Sequence, residues 1–144
     1  MEKERKIEIE FIRERQKEIY EIRDKICNFW QVKKVKIHLF WRTAFWLDNE
    51  IITIERGLFI ENNINVMIFA LIHELSHYIA FKRWQNGWIS DKIILKPHNK
   101  DFCKILYTNI KISGFDLQSY LKNAIEYSTI KKLLKRIAEI NNEN

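Results

Sequence analysis

Residues 62–81 read NNINVMIFALIHELSHYIAF, and this stretch decides how the rest of the chain is arranged. Asn62 or Asn63 can cap a helix, and the apolar positions that follow run from Val66 past Tyr78 to Phe81 with no Gly or Pro to stop them. A helix that is hydrophobic almost all round predicts a buried element with other layers packed against it. Inside it stands His73-Glu74-Leu75-Ser76-His77. Residues four apart share one helical face at about 6 Å, so both imidazoles can point at one metal ion, and Glu74 beside them can reach a metal-bound water. Zinc lowers the pKa of such a water towards ~7, and a carboxylate can then take its proton and hand it to a leaving amine. Two His and a Glu buried on an apolar helix are costly unless something satisfies them, and a metal with its water satisfies all three.

On the N-terminal side, residues 2–25 alternate acid and base while Ile12, Ile19, Ile22 and Ile26 recur at helical spacing. One apolar stripe of this kind predicts an amphipathic helix packed on one face. The basic cluster Lys33-Lys34-Val35-Lys36 leads into Ile37-His38-Leu39-Phe40, followed by Ala44-Phe45-Trp46-Leu47 and Ile51-Ile52-Thr53-Ile54. Short β-branched and aromatic runs split by Asp48-Asn49 predict strands with a tight turn, their order left open. On the C-terminal side, Gly87 breaks the helical pattern and residues 84–88 read as loop; the run Ile93-Ile94-Leu95 ends at Pro97. Asn99 or Lys100 can open a helix that stops at Ser113-Gly114, and a last helix starts from Asp116 and carries Leu117, Leu121, Ile125, Leu133, Leu134 and Ile137.

The whole is therefore expected to be one α+β domain over residues 1–144: an N-terminal helix (1–30), a catalytic core (31–112) and a helical C-terminal segment (113–144). Its 144 residues, 47% hydrophobic with 3 Gly and 1 Pro, suffice for one core and exclude a disordered or collagen-like chain. Cys27 and Cys103 stand far apart with no CxxC, which excludes a disulfide framework or a zinc ribbon and predicts two buried thiols. Continuous apolar runs fall short of the ~20 residues that span a bilayer, and the charged start MEKERKIEIE is unlike a secretory signal. An intracellular protein, cytoplasmic or nucleoid-associated and without a membrane partner, is the expectation. The formal charge of +6 permits weak attraction to a polyanion without requiring it.

A catalytic zinc needs a third protein ligand and an open position. Ala80 and Arg83 stand where HExxHxxGxxH would require Gly and His, and the first Glu after Glu74 is Glu126. His98 is then the best third ligand, with Asp91 and Asp101 as weaker alternatives; His38, in a strand-like run, reads as structural or surface.

The segment Ile72-His73-Glu74-Leu75-Ser76-His77-Tyr78, followed by His98-Asn99-Lys100-Asp101-Phe102, resembles the SprT-like zinc metallopeptidases, whose sites combine HExxH with a downstream His-Gly-x-x-Phe. The likeness covers roughly residues 30–108 and is specific at His73, Glu74, His77, His98 and Phe102. It implies a zincin-like fold, a zinc cofactor held by His73, His77 and His98, Glu74 as general acid/base, and Phe102 packed behind the third ligand. It also implies a protein or peptide substrate, with proteins on or near DNA as a first guess. Asn99 replaces the family's glycine, a change that fits the ease with which Asn enters left-handed backbone.

The rival expectation is a basic nucleic-acid-binding module with a structural or vestigial zinc site. Lys82, Arg83, Trp84 and Trp88 mix cations with rings that could stack on single-stranded nucleic acid, and Lys131, Lys132, Lys135 and Arg136 could form a second basic face. A strand between Val32 and Ile54 could hold an extended substrate by β-addition, and Tyr107, Tyr120 or Tyr127 could steady an oxyanion. Oligomeric state is not readable from these residues.

Overall fold

Ile19 and Ile26 are 1% and 0% exposed, and the helix they anchor, α1 (Glu2–Trp30), lies with that stripe on the core. Each such side chain removed from water contributes about 1.5–3 kcal/mol, which is what seats a helix otherwise covered in charge. The computed structural model describes residues 2–59 and 64–116, together with residues 132, 135, 136, 138 and 139. Asn62, Asn63, Lys131 and the apolar positions of the expected last helix lie outside the described residues.

α1 ends on Gln31, whose φ of 56° is left-handed. The N–H of Val32 reaches the carbonyl of Cys27 and that of Gln31 the carbonyl of Asn28, which satisfies the last open carbonyls of the helix. The chain then runs into β1 (Lys36–Phe40), β2 (Ala44–Trp46) and β3 (Ile51–Glu55), forming a sheet of order β1-β3-β2. β1 runs parallel to β3, with Ile37 opposite Ile52, and β2 runs antiparallel to β3, with Phe45 opposite Ile52. The expected tight turn at Asp48-Asn49 is there, closing the β2–β3 hairpin.

β3 is the inner strand and carries the sheet's contribution to the core. Ile52 and Ile54 are fully buried, while Thr53 on the opposite face is satisfied by donating to the carbonyl of Arg42 at 2.7 Å and accepting from Trp46 Nε1 at 2.7 Å. β1 alternates, with Ile37 and Leu39 turned inward and Lys36, His38 and Phe40 exposed. β2 is the edge strand beside the site and has no second strand partner among the described residues.

A short turn of helix, α2 (Arg56–Phe59), precedes α3 (Ile64–Gln85), which carries the HExxH residues. α3 packs against β2 and β3, and also against α1 and α5 (Lys100–Ser113). By length and mean hydropathy it is the one described helix that could cross a membrane, although its continuous apolar runs are short. Its place between sheet and helices accounts for that apolarity. It is four residues longer at its C-terminal end than its periodicity suggests: Trp84, expected in a loop, lies in the last turn. Gly87, left-handed at φ 74°, supplies the actual stop, with Trp88 N–H on the carbonyl of Arg83. Ile93-Ile94-Leu95 forms a single helical turn, α4 (Lys92–Leu95). The described chain is thus a mixed α+β structure with five helices and one three-stranded sheet.

A buried polar chain ties these layers together. Trp30 Nε1 donates to Asn109 Oδ1 at 2.7 Å, Asn109 Nδ2 donates to Ser76 Oγ at 3.0 Å, and Ser76 Oγ donates to the carbonyl of Ile72 at 2.7 Å. It fixes α1 and α5 on the turn of α3 that bears the two histidines, because each of these groups would be costly to bury unpaired.

Candidate metal centre

α3 presents His73, Glu74 and His77 on consecutive turns, the two imidazoles 4.8 Å apart between ring centroids. The third histidine arrives from the loop between α4 and α5. Asn99 caps α5 by accepting the N–H of Phe102 at 3.0 Å, with φ −74° and ψ −175°. This corrects the expectation of left-handed backbone at Asn99: the residue is extended, and it is there as an N-cap. That cap places His98 one residue before the N-cap of the helix, where its carbonyl also accepts from the guanidinium of Arg136.

The three Nε2 atoms converge. His73 Nε2 and His77 Nε2 lie 3.1 Å and 3.0 Å from His98 Nε2, and the three ligand atoms all lie within 4.8 Å of one another. Nitrogens about 2.0–2.1 Å from a tetrahedral zinc stand about 3.3 Å apart, so the arrangement is close to chelating geometry. Hydrogen bonding satisfies it only in part. The carboxylate of Glu74, 3.2 Å from His73 Nδ1, can only accept, which puts the proton on Nδ1 and leaves Nε2 of His73 as a lone pair. His98 Nε2 has one proton or one lone pair for two neighbours, His73 Nε2 at 3.1 Å and His77 Nε2 at 3.0 Å, so a linear hydrogen bond serves only one of the two contacts, whereas a cation at the shared point would serve both.

Burial favours the neutral, ligating forms. It is the largest cause that lowers the His77 pKa to about 3, with His73 and His98 adding to it, and burial likewise pushes His98 below its ordinary value. Phe102, fully buried, backs the cluster: its ring stacks on His77 at 4.4 Å and meets His98 at 4.9 Å and His73 edge-on at 5.6 Å. Beneath the loop, burial raises the Cys103 thiol pKa, and Cys27 is raised for the same reason; both are buried as expected.

Among the described residues the histidine trio is the only group able to hold a metal, and neither Asp91 nor Asp101 joins it. Asp91 instead accepts from Trp84 Nε1 at 2.8 Å. His38 is exposed on β1. Beside the trio opens a cleft of about 500 Å³, with Glu74 and His77 in its wall and β2, α3 and α4 around it.

The residues expected to meet nucleic acid are mostly engaged elsewhere. Lys82 pairs with Glu50, and Arg83 lies 5.0 Å from the ring centres of both Trp30 and Trp88. Trp84 is half-buried, and Trp88 alone stands largely exposed. Lys132, Lys135 and Arg136 are exposed helical residues. Tyr107 carries Lys111 4.4 Å from its ring, and Tyr120 and Tyr127 lie outside the described residues.

Three side chains take roles at the site that local sequence patterns do not assign them. Asn109 occupies the buried face of α5 with Phe102, Ile105 and Leu106, and a polar residue in that periodic stripe was the available signal for a buried network. Ser76, inside the motif, completes that network. Arg136 has no comparable signal, since it reaches His98 from 38 residues away. No family model, no curated protein and no solved structure matches this chain.

Proposed function

We propose that the chain is a zinc-dependent metallopeptidase of zincin-like architecture, similar to the SprT-like enzymes, that hydrolyses peptide bonds. The observation that carries the reading is the convergence of three Nε2 atoms, from two separate segments, beside a cleft whose wall includes a carboxylate. Three neutral imidazoles suit zinc, and a set of three that leaves a position open is the pattern of catalytic rather than structural zinc sites. His73, His77 and His98 would hold the ion. When bound, it would supply a water acidified towards ~7 and a Lewis acid for a carbonyl oxygen.

The remaining work falls to the chain's own groups. Glu74 keeps Oε1 on His73 Nδ1, which fixes that ring's tautomer, and offers Oε2 to take the proton from the attacking water and return it to the leaving amine nitrogen. Phe102 and the buried face of α3 exclude solvent from the back of the cluster, so charges in the cleft interact more strongly than in bulk water. The open edge of β2, which lines the cleft through Ala44 and Phe45, offers backbone N–H and C=O groups to an extended peptide. Substrates on or near DNA are supported by the family likeness alone.

The test is zinc per chain by elemental mass spectrometry, beside peptide hydrolysis by wild type and Glu74→Gln. Near one zinc in both, with hydrolysis lowered about 100-fold or more in the variant, is the expected result. A wild-type chain that takes up no zinc at neutral pH overturns the reading.

A further inference from the structure

We propose that the cleft beside Glu74 and His77 selects its substrate: an extended peptide segment whose bulky apolar side chain enters between α3 and α4 while a neighbouring acidic side chain meets Arg42. The inference rests on the peptidase reading for the role of the segment, and on the cleft's own lining for its chemistry.

The walls are contributed by three elements. β2 supplies Ala44 and Phe45, α3 supplies Ala80 and Phe81, and α4 supplies Ile93 and Ile94. Two of these six are alanines, and the short side chains help leave a space of about 500 Å³, more than one aromatic side chain needs and enough for an apolar group with its adjoining backbone. The cleft is continuous with Glu74 and His77, so an apolar group seated there lies next to the carboxylate and the histidine cluster. An extended chain is the occupant that fits the third feature, the edge of β2, which has no second strand partner among the described residues and whose Ala44 and Phe45 line the same wall. Side chains alternate along a strand, so a segment added to that edge sends every second side chain to the cleft side.

Charge adds a second term. Among the described residues lining the cleft, Arg42, which is exposed, is the one Lys or Arg, and Glu74, beside the histidines, is the one carboxylate. A carboxylate beside the apolar residue complements it, and a Lys or Arg there would oppose it. The apolar lip is equally accessible to change: Leu47 and Ile94 are 57% and 56% exposed, so both can be replaced without opening the core.

The experiment titrates the full wild-type chain with short capped peptides carrying Phe-Asp, Ala-Asp or Phe-Lys at the centre, followed by backbone NMR. The Phe-Asp peptide should bind about tenfold more tightly than Ala-Asp, with shifts at Phe45, Ala80 and Ile93. Ile94→Asp and, independently, Leu47→Asp should remove most of that preference. Arg42→Gln should reduce the advantage of Phe-Asp over Phe-Lys about twofold or more while leaving the Phe over Ala preference in place. Equal affinities for the Phe and Ala peptides, shifts away from the cleft, or a preference that survives both aspartate variants would overturn the proposal. A chain that shows the preference yet never hydrolyses a peptide with zinc supplied defeats the peptidase reading alone; hydrolysis without any apolar preference defeats only this one.

Discussion

The middle of α3 and its C-terminal end treat their polar groups in opposite ways. In the middle of α3, His73 and His77 aim nitrogens at a point shared with His98, whose one Nε2 proton or lone pair cannot form a linear hydrogen bond to both. Two turns later, Lys82 already has Glu50, Arg83 already has two indole rings, and Trp84 already has Asp91. Groups that converge without being satisfied are waiting for something; groups that are paired are holding structure. The sequence presents both sets as runs of chemistry-bearing residues, and only their surroundings tell them apart.

The sharpest way to break the comparison is His98→Ala. It removes the shared nitrogen, so zinc uptake should fall from near one per chain to a small fraction, as read by elemental mass spectrometry; full retention would make His98 a bystander. Next in size is the response to acid. Because the folded chain holds His77 at about 3, far below its ordinary value of 6.5, the unfolded chain takes up the proton first as pH falls. The contribution is complete above about pH 6.5 and is lost progressively down to about pH 3, and the lowered His98 pKa acts in the same direction. Thermal melts of metal-free protein across that window should show a falling midpoint, and a flat profile would mean that the imidazoles are not held neutral by burial. Smallest is Arg83→Ala at the other end of the helix. Loss of its stacking should cost about 1 kcal/mol in denaturant unfolding and leave affinity for single-stranded DNA unchanged. A clear loss of DNA affinity would move Arg83 from the structural set to the binding set.

The site was largely legible before the fold. The i, i+4 spacing of His73 and His77 on an apolar helix is a local property, and His98, rather than Asp91 or Asp101, is the residue the fold brings beside them. The strands were legible as segments but not as a sheet, because a period of two assigns faces and says nothing about neighbours. The order β1-β3-β2, and with it the open edge of β2, depends on long-range pairing. Trp84 reads as loop in sequence because Gly87 and the polar residues around it resemble an ending, whereas a helix normally continues until its left-handed cap. Asn99, which the sequence offers both as a helix opener and as a residue tolerant of left-handed backbone, takes the first role as the N-cap of α5. The cleft is built from three elements distant in sequence, so no local pattern announces it.

His77 and His98 stand 21 residues apart along the chain and 3.0 Å apart at their nitrogens. In a chain without tertiary structure, α3's pair of imidazoles would be a two-toothed chelate, and the third tooth would have to be recruited against the entropy of closing that loop. Docking α5 on α3 closes the loop beforehand. Any cation gripped by all three nitrogens therefore acts as a rivet across the closure, and its affinity becomes a gauge of how completely the molecule has folded.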